Sequence, residues 1–293
     1  MPHRRCAEVH WKLVCHAKSA TFVSMEIETE RLLLRPVDRA DVDAIAHVIF
    51  GDPKVVGILA HNTKDPADAR DVAERWVRLM GRGSDMWSDG GMGLFALVPN
   101  DGDGALAGVS GFFMERDENE RWTGEYFYAL GSAWHGRGLM SDVADVLGAR
   151  LRKLPSLGVI YAGYWDMINE GSGKILLRTG LKPAGRKPIT AEYSPERCVR
   201  MFEYDVWRTA NAHRGTERNL VLLQAARRAG GFVAEDVVAK DDAMGRLANA
   251  FGGDLTTEAL AMFDKARRMP GMAYLEIRGK GETGIPVNRL SGD

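Results

Sequence analysis

A chain of 293 residues, 45% hydrophobic and 27% charged, holds enough apolar material for a sizeable core in an ordinary globular balance. Its formal net charge of −1 gives bulk electrostatics no reason to select nucleic acid or an anionic membrane. Cys6, Cys15 and Cys198 make an odd count with no CxxC, which suits a reducing, cytoplasmic setting, and no apolar run approaches the ~20 residues of a membrane span.

Residues 1–25 carry no periodic pattern and read as an N-terminal extension, with Met25 a start in its own right. Lys12, His16 and Lys18 interrupt the apolar stretch that a secretory signal would need. Cys6, His10, Cys15 and His16 lack the paired spacing of a structural zinc site, so no metal is assigned.

Pattern begins abruptly after Met25. RLLLRPV (31–37) predicts a strand, and Asp38 caps a helix with Val42, Ile45, Ala46 and Ile49 at helical spacing. Asp65 and Pro66 open a second helix with Val72, Trp76 and Leu79 on its apolar face. After the glycine-rich stretch GSDMWSDGGMG come three strand candidates, LFALV, LAGVSGFFM and WTGEYFYAL, separated by PNDGDG and RDENE. Those turn residues predict an antiparallel meander. A helix from about Leu139 to Leu154, a strand GVIYAGYW and a helix EGSGKILLRTG follow, and RCVRMFEYDVW (197–207) reads as a closing strand. The order predicts an α/β fold with a mixed sheet, in which the strand ending at Leu130 and the strand after it form a βαβ unit.

The turn of that unit, GSAWHGRGLMSDV (131–143), has glycines on both sides of Arg137 where strand gives way to helix. The first amides of a helix lack partners and sit at the positive end of its dipole. Gly136, Arg137, Gly138, Leu139, Met140 and Ser141 could present such amides to a phosphate, with the Arg137 guanidinium assisting. A plain strand-to-helix turn, with glycine for geometry, explains the same residues equally well.

The stretch HGRGLM resembles the coenzyme A pyrophosphate loop of the GNAT superfamily of N-acyltransferases, with Gly136, Arg137 and Gly138 matching. His135 stands where Gln or Arg is usual, and Met140 where a small residue is. IETERLLLRPVDRADVDAI (27–45), GEYFYAL (124–130) and Asn169-x-x-Ser172 resemble the RimJ/RimL-type branch, in that order along the chain. The resemblance covers about residues 26–208. It implies a mostly antiparallel sheet flanked by helices, a fourth and fifth strand that splay apart, and acetyl-CoA as cosubstrate with its pantetheine arm in the gap. It places Ala129, Leu130, His135 to Ser141, Asn169 and Ser172 on the cofactor. Of the three candidates for proton transfer, Glu125 stands where the family often carries a strand-four glutamate, so the resemblance makes it the base, with a structural carboxylate or an amine anchor as its plainer readings. Ser172 matches the serine that can face the sulfur, with helix capping as its plainer reading; Tyr128 is an alternative acid, though a strand aromatic is more often core. Trp87 and Trp165 are equally readable as acceptor-pocket walls or as packing.

EGSGK lacks the first glycine and the final Ser or Thr of a Walker loop, and Cys198 sits in no nucleophile motif. Beyond the resemblance, RTANAHRGT reads as a linker, and residues 209–293 as a small helical, winged-helix-like module with a terminal β-ribbon. Its slight excess of Arg and Lys falls short of a nucleic-acid footprint, so an interaction or homodimerisation role is expected. Two functions stand: an N-acetyltransferase acting on a protein N-terminus or small-molecule amine, and a non-catalytic CoA-binding regulator that uses the tail for protein or DNA interaction.

Overall fold

The structure, a computed structural model, describes residues 26–59, 66–88, 92–102, 104–191, 193–212 and 215–279. The extension with Cys6, His10, Cys15 and His16 lies outside them, as do Asp65 and the second arm expected of the terminal ribbon.

Eight strands form one sheet: β1 (Ile27–Glu28), β2 (Leu32–Pro36), β3 (Leu94–Pro99), β4 (Gly108–Arg116), β5 (Trp122–Leu130), β6 (Leu157–Tyr164), β7 (Lys182–Lys187) and β8 (Met272–Arg278). Their spatial order is β1-β2-β3-β4-β5-β6-β8-β7. Every pairing is antiparallel except β5 with β6. That exception is the expected βαβ unit, because only a crossover helix lets consecutive strands run parallel.

Alternation along the strands divides the sheet's two faces. Phe112, Met114 and Tyr126 pack with Val143, Leu147 and Leu151 of helix α5 (Leu139–Leu151). Leu94, Ala96, Val98 and Ala129 pack on the opposite face with Ile45, Ile49, Ala73 and Trp76. The latter come from the first helices: α1 (Val42–Ile45), the π segment Ala46–Phe50 that continues it, α2 (Pro53–Val56) and α3 (Pro66–Met80). Asp38 and Asp41 form the predicted start as a reciprocal capping box, and Arg35 clamps Asp41 through both carboxylate oxygens at 2.8 and 2.7 Å. A short α4 (Asp85–Ser88) holds Trp87, whose indole donates to Met80 O at 2.9 Å.

Helix α5 (Leu139–Leu151) and α6 (Glu170–Thr179) follow as predicted, each bounded by glycine in a left-handed conformation: Gly138 before α5 at φ +74° and Gly180 after α6 at φ +105°. The expected closing strand does not form. Residues 197–207 lie inside helix α7 (Pro195–Asn211), started by Ser194 capping and Pro195 in the first turn. Its buried residues Cys198, Met201, Phe202, Asp205 and Thr209 recur at helical spacing, and the alternation read there was an accident of a short window.

Three more helices follow among the described residues of the tail: α8 (Thr216–Ala234), α9 (Lys240–Phe251) and α10 (Thr257–Arg268). α8 runs through Gly230, where α10 crosses so closely that a Cβ would strike Phe263 O. The strand beyond α10 corrects the expected layout most. β8 enters the main sheet between β6 and β7, running along β6 from Val159↔Arg278 to Tyr164↔Ala273. The sheet is therefore incomplete at residue 208. Trp165, Ile189, Cys198, Met201 and Phe202 share one buried cluster with Leu222, Phe232, Leu247, Phe263 and Met272 of the tail. No helix among the described residues is long and apolar enough to cross a membrane.

Candidate active site

The loop after β5 is held from three sides. Asp52, the N-cap of α2, accepts from Ser132 N at 2.7 Å. Burial works to raise its pKa, and hydrogen bonds from Ser132, Lys54 and Val55 more than offset this, leaving the Asp52 carboxyl below its ordinary range. His135 Nε2 lies 2.9 Å from Leu130 O, so the ring that replaces the usual Gln or Arg closes the end of β5. Arg31, just before β2, donates to Arg137 O at 2.5 Å and Gly138 O at 3.0 Å while clamping Asp142 of α5. Gly136 and Gly138 both have φ +74°, and a Cβ on Gly136 would meet nothing within 4 Å. Met140 is buried in the core beneath α5, so its bulk does not crowd the loop. The carbonyls of Arg137 and Gly138 are bound by Arg31, and Gly136 leaves open space beside the first turn of a 13-residue helix. An anion fits that arrangement.

The parallel ladder between β5 and β6 ends at Glu125↔Tyr161. Beyond it, residues 126–130 keep their β4 partners but have none on β6, so the two strands splay there. Ala129 and Leu130 border this gap. Glu125 lies opposite Phe113 and Tyr161, on the α1–α3 face; Tyr128, three residues on, packs against the α5 side.

Tyr128 is largely buried, and among the described residues its hydroxyl makes no hydrogen bond of normal geometry. Burial pushes its pKa well up; the nearby Ser172 hydroxyl opposes that shift without cancelling it, so the phenol stays protonated. Tyr126, fully buried beside Ser110 at 3.2 Å, is pushed up to about 12 by burial. Ser172 is the third residue of α6, preceded by Asn169 at the N-cap position, whose side chain makes no capping bond. Gly173 allows the Tyr164 ring to sit against this turn, and Met167, just before it, takes φ +71°, a strained conformation for methionine.

The fold thus brings Tyr128 and Ser172 together and sets Glu125 on the other face at the mouth of the same gap. Trp165 is buried with the tail and Trp87 packs on Phe95, so both are packing residues. Two clefts of about 360 and 370 Å³ flank the loop, meeting at Trp134, and neither reaches Glu125, Tyr128 or Ser172. Sequence reading missed Arg31, counted only as a strand residue, and Asp52. An arginine opening a strand carries no local mark of a partner more than a hundred residues away.

Residues 31–182 match the acetyltransferase (GNAT) domain family. No curated protein matches the chain. Among solved structures, it is similar to a GNAT-family acetyltransferase from Bacillus anthracis at 20% identity, covering 55% of this chain and 86% of that one with a TM-score of 0.42. It is similar to ribosomal-protein-S5-alanine acetyltransferase from Vibrio fischeri at 19% identity, covering 56% and 86% with a TM-score of 0.45. An acetyltransferase from Salmonella typhimurium that modifies the N-terminal serine of ribosomal protein L7/L12 shows 18% identity over 56% and 88%, with a TM-score of 0.43. With the family match spanning more than half its length, the chain belongs to the GNAT acetyltransferases and is an acyltransferase whose cosubstrate is acetyl-CoA.

Proposed function

We propose that the chain is an N-acetyltransferase that delivers an acetyl group to a primary amine by direct attack within a ternary complex. The observation that carries this reading is the end of the β5–β6 ladder at Glu125↔Tyr161, with a carboxylate on one face and a protonated phenol beside a serine on the other. Acetyl-CoA, when bound, supplies a thioester carbon open to an amine nucleophile. Glu125 accepts the amine proton from the α1–α3 side, directly or through water. Tyr128 and Ser172 hold a proton toward the departing sulfur from the α5 side. The amides from Gly136 to Met140 take the pyrophosphate, Ser141 N being already bonded to Gly138 O at 3.0 Å; the freed edge of Ala129 and Leu130 pairs with the pantetheine amides, and Asn169 orients the acyl end. The RimJ/RimL-like segments of the sequence favour a protein N-terminus as acceptor over a small-molecule amine.

Turnover of acetyl-CoA against a panel of N-terminal peptides and small amines tests the reading. Glu125→Gln is expected to lower turnover roughly a hundredfold with little change in cofactor affinity. Ser172→Ala should cost less, because water can replace a hydroxyl donor. A wild-type chain that binds CoA and acetylates nothing would establish the non-catalytic alternative. Wild-type rates in both variants at every pH would move the proton-transfer roles elsewhere.

Gly136→Asp tests the loop. Aspartate tolerates the left-handed conformation and has open space there, so the fold should survive. Its charge would face the pyrophosphate, and CoA affinity by calorimetry should fall on the order of a hundredfold, about 2.7 kcal/mol. Unchanged affinity would remove the phosphate from this loop.

A further inference from the structure

We propose that Arg31 is the positioning residue of the cofactor loop: it turns the loop's carbonyls away from the pyrophosphate so that the amides alone face it. This rests on the reading of residues 136–140 as the pyrophosphate site. The side chain is anchored at its base, since Arg31 O accepts from Asn100 N at 3.0 Å across the β2–β3 pair. Its Nη1 donates to Arg137 O at 2.5 Å and its Nη2 to Gly138 O at 3.0 Å. Nε and Nη2 reach the two oxygens of Asp142 at 2.8 and 2.7 Å. One planar group thus joins the sheet, two consecutive loop carbonyls and the first turn of α5.

Stability alone does not explain this arrangement. The ion pair is partly open to solvent, with 41% and 23% of the two side chains exposed, and such pairs contribute little. What it fixes is direction. Carbonyl oxygens rotated toward a pyrophosphate would repel it, and glycines at φ +74° on both sides of Arg137 make such rotation easy. The guanidinium fork removes that freedom by binding Arg137 O and by adding a second donor to Gly138 O, which also accepts from Ser141 N at 3.0 Å. A lysine cannot reproduce it, because a point charge lacks the planar geometry that spans two carbonyls and a carboxylate. Arg137 is kept clear of the same space, its guanidinium stacked 4.7 Å over the Trp134 ring.

A residue that only supported the fold would affect every ligand alike, whereas one that aims the loop affects only ligands bearing the pyrophosphate. The test measures binding of CoA and of pantetheine, which lacks that group, by calorimetry on wild type, Arg31→Met, Arg31→Lys and Asp142→Asn, each checked for folding by circular dichroism and melting. Wild type should prefer CoA by roughly a hundredfold. Arg31→Met should weaken CoA binding by about tenfold or more and move pantetheine by less than about twofold. Arg31→Lys should recover part of the preference. Asp142→Asn, which keeps both carbonyl bonds, should lose less than Arg31→Met; if Arg31→Met does not fold, a preference reduced in Arg31→Lys but retained in Asp142→Asn supports the role. Equal losses for both ligands, or a preference as large as wild type's in a folded Arg31→Met or in Arg31→Lys, would overturn the proposal. A wild-type chain that binds both ligands alike would overturn the loop reading itself, and the proposal with it.

Discussion

Ending the chain after Thr209 is expected to yield insoluble protein that binds no CoA. The cut removes β8, which is the partner of both β6 and β7. Among the described residues β7 has no other neighbour in the sheet and would detach, and β6 would become an open edge of buried-strand sequence. The same cut uncovers Trp165, Ile189, Cys198, Met201 and Phe202. At roughly 1.5–3 kcal/mol per large apolar side chain, their exposure alone costs about 10 kcal/mol, comparable with the whole stability of a typical domain. The damage also reaches the site. Asp166, in the turn leading to Asn169 and Ser172, is held by Arg186 of β7 at 2.5 Å and by buried Arg227 of α8 at 3.0 Å. Burial works to raise the Asp166 pKa, and these two arginines outweigh it and hold the carboxyl below its ordinary range. Solubility, size-exclusion profile and CoA titration of the shortened chain provide the check; a soluble, CoA-binding product would show that the tail is dispensable.

Replacing Asp205 by alanine should cost about 3–5 kcal/mol of stability. Asp205 is fully buried and pairs with Arg228 through both carboxylate oxygens, Nε to Oδ2 at 2.7 Å, while Arg208 stands 3.9 Å away. The two guanidinium groups also reach back to α2 and the residue after it, Arg208 to Pro53 O at 3.1 Å and Arg228 to Gly57 O. Removing one carboxylate would leave both cations in a dry interior. Burial already pushes the Arg208 pKa down, the electrostatic mark of that environment. Urea unfolding of Asp205→Ala against Asp205→Leu with Arg228→Met measures the effect. The double variant should lose less, since it leaves one buried cation, Arg208, without the carboxylate instead of two. Equal losses would mean that packing, rather than charge, sets the cost.

Local signals carried far in this sequence. Alternation bounded by RDENE and GSAW marks β5 to the residue, and paired glycines mark the loop where φ +74° is required twice. β7 stayed hidden because KPAGRK has the proline, glycine and charge of an exposed sheet margin and no apolar residue beyond Ala184. The position of β8 could not be read locally at all. Its alternation marks a strand, yet nothing in residues 272–278 names β6 as a neighbour. In the site, Glu125, Tyr128 and Ser172 are individually visible as chemistry. Their division between two faces follows from strand alternation, but the meeting of Tyr128 with Ser172 depends on how α6 packs, which only the folded chain shows.

β7 ends at Lys187 and β8 begins at Met272, and these two residues face each other across the ladder. The strands are therefore the arms of a hairpin, and residues 188–271, with all of α7 to α10, are its turn. Lengthening a turn is cheap at equilibrium, since each doubling of a loop adds only about 0.6 kcal/mol of closure entropy. The burden falls on timing. During synthesis β6 emerges early and must wait, its open edge exposed, until residue 278 has been made. The tail helices must meanwhile pack well enough to return the chain within one strand spacing of where it left. Refolding of the full-length chain should accordingly be slow and limited by that late strand insertion, with the helices forming before the sheet closes.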